Sequence, residues 1–343
     1  AYGAPMNTRS VLSALLTSVC LAAGSPAADF TFERGVIVAH WLGNLAPNYR
    51  GQSNVAHTYA AAWFDDEDIA WIATHGFDHL QIRVDASEWT TQGALRADRL
   101  APVDDVLERA GKHGLGVVLA YDADAADAAD AVEDWRRVAG RFTSTGENLR
   151  FLLAESASSR EVVAAIRRAD PRRFVYLTAP SEPAAGRVDV WNATPAALAR
   201  LDLGSFDERV GVAFGYWEPE LFSYQHPSQP VHVPFPGMVP DMKDLPEFFG
   251  YHDQEFADAY RAAAVAASGT TLSAATIAAD FSRLAEWART QAPGRTLYLQ
   301  EFGVGRGQDP GSSRRYIEAV ASAARQHGID FSIYDYESGR AIR

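Results

Sequence analysis

Two glutamates stand at the ends of two apolar runs, Leu149-Arg-Phe-Leu-Leu-Ala-Glu155 and Leu297-Tyr-Leu-Gln-Glu-Phe-Gly-Val304. Runs of this kind, bounded by glycines such as Gly294 and Gly303, read as buried strands of a parallel sheet. That places Glu155 and Glu301 at carboxyl ends, where α/β sheets bind their ligands. Two carboxylates so placed, on different strands, are what cleavage of a glycosidic bond requires: one donates a proton and the other attacks or activates water. Arg83 closes a third run, His79-Leu-Gln-Ile-Arg-Val-Asp85, and brings a cation to the same end of the sheet.

The elements that must position these groups alternate along the chain. Strands are expected at 35–39, 79–85, 116–120, 149–155, 174–177, 210–214, 297–304 and 331–334. Between them lie helical patterns at 65–76, 101–112, 130–142, 160–169, 277–290 and 314–327. The helix at 65–76 has an acidic first turn, Asp65-Asp-Glu-Asp68, apolar spacing at Ile69, Ile72 and Ala73, and a terminating Gly76. Gly114 closes the next helix in the same way. Eight strands with crossover-length connections predict a single (β/α)8 TIM barrel, an α/β fold, with an open doubly wound sheet as the alternative topology. A long loop insertion follows strand six, at 215–273. It contains Tyr216-Trp-Glu-Pro219, Gln225-His-Pro227 and Val233-Pro-Phe-Pro-Gly237, which is too much proline for one continuous helix.

Composition sets outer bounds. The chain has 343 residues, 47% of them hydrophobic, enough for one large core. A formal charge of −13 argues against a nucleic-acid surface. Residues 6–28 carry Arg9, then the apolar stretch Val11 to Ala23, then Gly24-Ser-Pro-Ala-Ala28, the layout of a secretory signal peptide. The stretch is too short for a permanent span, so the mature chain at 30–343 is expected to be secreted or periplasmic, with no membrane span. Residues 1–5 read as a vector or upstream remnant. The chain stops at Arg343, soon after strand eight, which leaves little sequence for a closing helix. The single cysteine, Cys20, falls inside the signal, which leaves the mature chain no thiol chemistry.

Nine histidines show no His-x-x-x-His spacing, and Asp122, Asp124 and Asp127 lack the glycine and distal glutamate of a calcium loop. Neither a metal nor any other cofactor is expected. Trp41, Trp89, Tyr216, Trp217 and Tyr334 follow strands one, two, six and eight, where aromatic faces stack on sugar rings; Trp71, Trp135 and Trp287 fall in helices and read as core.

Taken together, Arg34-Gly-Val36, Gly76-Phe-Asp-His-Leu-Gln-Ile-Arg83, Gly114-Leu-Gly-Val-Val-Leu119, Leu153-Ala-Glu155, Glu218-Pro-Glu-Leu-Phe222, Glu301-Phe-Gly303 and Tyr334-Asp-Tyr336 resemble glycoside hydrolase family 5, the cellulase family of retaining barrel hydrolases. The likeness runs over about residues 34–339, in family order. It implies that Glu155 is the general acid and base, Glu301 the nucleophile, and Arg83 the arginine beside that nucleophile. It also implies an oligosaccharide or polysaccharide substrate and substrate contacts from Asp122, which stands where the family has histidine.

The polar shell departs from the family. Ala154 replaces the asparagine that contacts the sugar 2-hydroxyl, Gly215-Tyr216-Trp217 replaces His-x-Tyr, and Tyr334 replaces tryptophan. Two readings follow: a hydrolase for a sugar with a different group at carbon 2, or a glycan-binding protein on a hydrolase scaffold.

Overall fold

The computed structural model describes residues 30–42, 64–85, 90–91, 94–95, 97–122, 128–153, 159–179, 195–225, 231–243, 254–305 and 308–334. Eight parallel strands close into a barrel, numbered here β1 (Arg34–Leu42), β2 (His79–Asp85), β3 (Gly116–Asp122), β4 (Leu149–Leu153), β5 (Phe174–Thr178), β6 (Val210–Gly215), β7 (Leu297–Gly303) and β8 (Asp330–Tyr334). Each pairs with its sequence neighbour, and β1 pairs with both β2 and β8. That closure selects the barrel over the open sheet, and all eight expected strands are present. The signal segment and the first five residues lie outside the described residues.

Barrel helices cover the outside: α1 (Asp66–Thr74), α2 (Ala97–Lys112), α3 (Ala128–Arg141), α4 (Ser159–Ala169), the single turn α5 (Pro195–Leu198), α6 (Ala274–Gln291) and α7 (Pro310–Gln326). Local chemistry sets their ends. Asp65 caps α1 in a reciprocal capping box with Asp68, and Asp309 caps α7 ahead of Pro310. Gly76 and Gly114 have φ of 82° and 74°, the left-handed conformation that ends a helix. Helix α2 begins at Ala97, earlier than expected, and carries Pro102 inside it.

Two apolar layers follow from strand alternation. Leu80, Ile82 and Val84 of β2 and Leu299 and Phe302 of β7 face the helices in the main core. Tyr298, Tyr176, Val118, Ala120, Leu152 and Ala213 point inward and fill the lumen above Phe32. Small residues make room for large ones there. A Cβ at Gly35 would lie 2.1 Å from His79 Nε2, and one at Gly116 would lie 2.5 Å from the Phe32 ring.

Between β6 and α6 the described residues of 216–273 form a short helix at Glu220–Ser223, a helix at Gln254–Ala267, and an antiparallel pairing of Gly237–Met238 with Thr271–Leu272. They are mixed structure, as the proline content requires. Leu221, Val233, Val239, Met242, Tyr260 and Ala264 give them a small core of their own. Among the described residues no helix is long and apolar enough to cross a membrane.

Candidate active site

The inward sequence of β2 is regular: His79, Gln81 and Arg83 alternate with Leu80, Ile82 and Val84, which face the helices. β7 is not regular. Tyr298 points inward and Leu299 outward, so strict alternation puts Gln300 inside and Glu301 outside. The structure instead holds both inside and resumes with Phe302 in the outer core. The register shifts at this place against both neighbours, between Leu299 and Glu301 toward β6 and between Leu299 and Phe302 toward β8. This is a β-bulge, which re-aims a side chain at the end of a strand.

The re-aimed carboxylate meets the regular arginine. Arg83 Nη2 donates to Glu301 Oε2, with the two side chains 14% and 7% exposed. A fixed guanidinium at this range favours the ionised carboxylate. Beside it Thr178 of β5 donates to Gln300 Oε1 at 2.9 Å, so both bulge residues are held from across the lumen. The Glu301 carbonyl accepts from Tyr216 N at 2.9 Å. At Gly303 a Cβ would lie 2.5 Å from the Tyr334 carbonyl oxygen, so glycine lets β7 and β8 close beside the glutamate.

The aromatic residues after β6 divide between two faces. Trp217 packs edge-on to Tyr334 with ring centroids 5.7 Å apart, and against Tyr224 at 5.2 Å. Tyr216 is directed the other way: its hydroxyl donates to Asp280 of α6 at 2.7 Å, and its ring stands edge-on to Phe281. Burial, then the Asp280 carboxylate, push that hydroxyl far above the usual tyrosine range. The expectation that Tyr216 stacks on a sugar is therefore corrected, because its ring is core between β6 and α6.

Trp217 is held from behind. Ser223 donates to the Trp217 carbonyl, Gly305 N donates to the Ser223 carbonyl at 2.8 Å, and Gln308 Nε2 donates to Phe222 and Ser223 carbonyls at 2.6 and 2.9 Å.

Of the remaining expected site residues, Glu155 and Trp89 lie outside the described residues. Trp41 and Asp122 are described only as backbone on β1 and β3. The structure pairs Arg83 with Glu301 and, separately, packs the buried Trp217 against Tyr334; it adds Tyr224 to the second pair and Gln300 with Thr178 beside Glu301, which sequence reading missed. Tyr224 lies in an aperiodic loop with no pattern to mark it. Among the described residues no group of three or more His, Cys, Asp or Glu is placed to hold a metal.

No family model matches the chain, and no curated protein matches it in sequence. Solved structures do match in fold. An endoglucanase of Thermotoga maritima solved with mannotriose is 17% identical at a TM-score of 0.64, the match covering 91% of this chain and 92% of that one. A glycoside hydrolase family 5 lichenase from Caldicellulosiruptor sp. F32, in complex with cellotetraose, is 15% identical at 0.63, covering 94% and 92%. The cellulose synthase subunit Z of Clostridioides difficile is 17% identical at 0.63, covering 90% and 93%. The chain thus has the barrel of the family 5 hydrolases, and at these identities the likeness is one of fold.

Proposed function

We propose that this protein is a secreted glycoside hydrolase that cleaves a β-linked glycan with retention of configuration. The observation that carries the reading is Glu301, turned by a strand bulge into the carboxyl-end mouth of the barrel and gripped there by Arg83. Leu299 and Phe302 already supply the packing of this strand end, and a bulge that turns a carboxylate inward onto a largely buried arginine marks a candidate for chemistry. The fold of endoglucanases and a lichenase supports the same reading.

In this mechanism the ionised Glu301 attacks the anomeric carbon as Glu155 protonates the departing glycosidic oxygen. A covalent glycosyl–enzyme ester forms and the leaving sugar departs. Glu155, now a carboxylate, takes a proton from water; the hydroxide equivalent displaces Glu301 and restores both groups. Trp217 and Tyr334, packed on each other after β6 and at the end of β8, are assigned to the substrate side, with Trp41 near the end of β1, Trp89 after β2 in the sequence and Asp122 at the end of β3.

A second reading, a glycan-binding protein that cleaves poorly or not at all, is favoured by one observation. Where the family has a histidine and a tyrosine after strand six, this chain has Gly215, with no side chain, and Trp217, with no hydroxyl, while the intervening Tyr216 gives its hydroxyl to an outer helix. One experiment separates the two. Wild type and Glu301→Gln are incubated with glucans, mannans and amino-sugar polymers, following both bound polysaccharide and new reducing ends. Release by wild type alone supports the hydrolase; equal binding by both, with no release from any glycan, supports the binder.

A further inference from the structure

β2 and β7 are not neighbours in the sheet, since β1 and β8 lie between them. Their inward side chains nevertheless meet twice across the lumen. The upper contact is Arg83 to Glu301. One layer below, Tyr298 Oη stands 2.7 Å from Gln81 Oε1. The Tyr298 hydroxyl also lies 2.7 Å from Ser332 Oγ of β8 and 3.2 Å from His79 Nε2, and His79 Nε2 lies 3.0 Å from Ser332 Oγ. His79 Nδ1 is 2.7 Å from Asp78 Oδ1, a carboxylate already fixed by Glu33 N, Arg34 N and the Thr31 hydroxyl. His79, Gln81, Tyr298 and Ser332 are all fully buried.

Burial, opposed by the Asp78 hydrogen bond, holds His79 below its usual range, while Asp78, against its own burial, is lowered by His79. His79 thus ties Asp78, on its Nδ1 side, to the Ser332 and Tyr298 hydroxyls on its Nε2 side. Tyr298 donates to Gln81 Oε1, which carries the network across to β2, and Gln81 Nε2 is buried without a partner among the described residues. Arg150, Tyr176 and Asp330 carry the other titratable or charged groups that face this interior, from β4, β5 and β8.

We propose that Tyr298 and Gln81 are positioning residues for Glu301: their contact sets the separation of β2 and β7 at which Arg83 grips the carboxylate. The bulge shifts the register of β7 on both sides directly below Glu301. The ladder resumes at Glu301 only toward β6; toward β8 it resumes at Phe302, so the side-chain contact to β2 adds a constraint on the side where the backbone supplies none at the glutamate. Tyr298 is the inward residue immediately beneath that break. The kinetic part of the inference rests on the hydrolase reading; the geometric part does not.

The test uses Tyr298→Phe, which keeps the ring stacked on Tyr176 at 4.5 Å and removes only the hydroxyl. Gln81→Met removes the partner from the other strand. Tyr176→Phe is the control, since it deletes a hydroxyl in the same layer that is bonded to Arg150 instead. The Glu301 carboxyl is titrated by carbon-13 NMR in each protein, with kcat, KM and pH profile measured on the best glycan. Tyr298→Phe and Gln81→Met are each expected to raise the Glu301 midpoint by about one pH unit, as a loosened guanidinium contact requires. They should lower kcat roughly tenfold with KM unchanged, and move the acid limb of the profile up with the midpoint. Tyr176→Phe should leave all of these unaltered. An unchanged Glu301 midpoint in either folded rung variant overturns the inference. Absence of hydrolysis by wild type overturns the proposed function instead, and the NMR titration still decides the inference.

Discussion

The two ends of the barrel use arginine in opposite ways. At the amino end of the strands Arg173, 4% exposed, donates to the carbonyls of Phe142, Thr145, Gly146 and Leu149 at 2.6 to 3.0 Å, and to Asp170. Arg295 gathers the carbonyls of Leu203, Phe206, Asp207 and Val210 in the same fashion, and Arg167 joins the Asp207 carboxylate to the carbonyls of Arg173 and Arg209. At the carboxyl end Arg83 is paired with a carboxylate at the mouth. A guanidinium spent on backbone oxygens clamps loops, whereas one paired with a reactive acid sets that acid's charge. Under the proposed function the division matches the general character of such barrels, with stability at one face and chemistry at the other.

Four measurements sharpen or break this contrast. Glu301→Gln is expected to lower kcat roughly 10⁴-fold or more without altering the unfolding transition. Loss of folding with it would mean that the upper pair is structural too. Arg173→Ala should do the reverse: it strands buried carbonyls and Asp170, so denaturant melts should show a loss of about 3–5 kcal/mol while kcat at low temperature stays the same. Gly35→Ala forces a methyl into the His79 ring and should cost about 1–3 kcal/mol, read by the same melts.

The smallest effect is at Asp330, near the amino end of β8. Burial, eased by Arg150 and reinforced by Asp78 and Glu33, raises its carboxyl from 3.8 to about 7. Between those values the folded state keeps a proton that the unfolded chain has lost, so this group's contribution falls as pH rises and is gone above about 7. Asp330→Asn should flatten that decline and add about 1–2 kcal/mol at pH 8, measured by melts from pH 4 to 8.

Much of the frame is legible in the sequence because its signals are repeated. Each barrel strand is an apolar run, and Gly76 and Gly114 end helices where a left-handed residue is needed. The misses have physical causes. The bulge under Glu301 goes unseen: the strand end points to the glutamate, but strict period-two alternation from Tyr298 would turn it outward, and the exception that aims it inward leaves no residue-type mark. Tyr216 follows a strand just as Trp217 does, and only Asp280, far along the chain, shows which of the two turns inward and which joins the helix layer. Helix α2 starts ahead of Pro102, whose missing N–H reads as a boundary although the helix tolerates it. The arginine clamps are invisible in the text, since every residue type offers the same carbonyl.

The bulge also gives the seventh strand a passenger. With two consecutive side chains on the inner wall, that strand holds one residue more than its neighbours need to stay in step. Glu301 already stands opposite Gly215, one ladder step beyond Leu299, so excising Gln300 would even out the ladder and leave the carboxylate on the inner wall at the same height. What the deletion would remove is the amide that Thr178 holds, and with it the second tether beside the carboxylate.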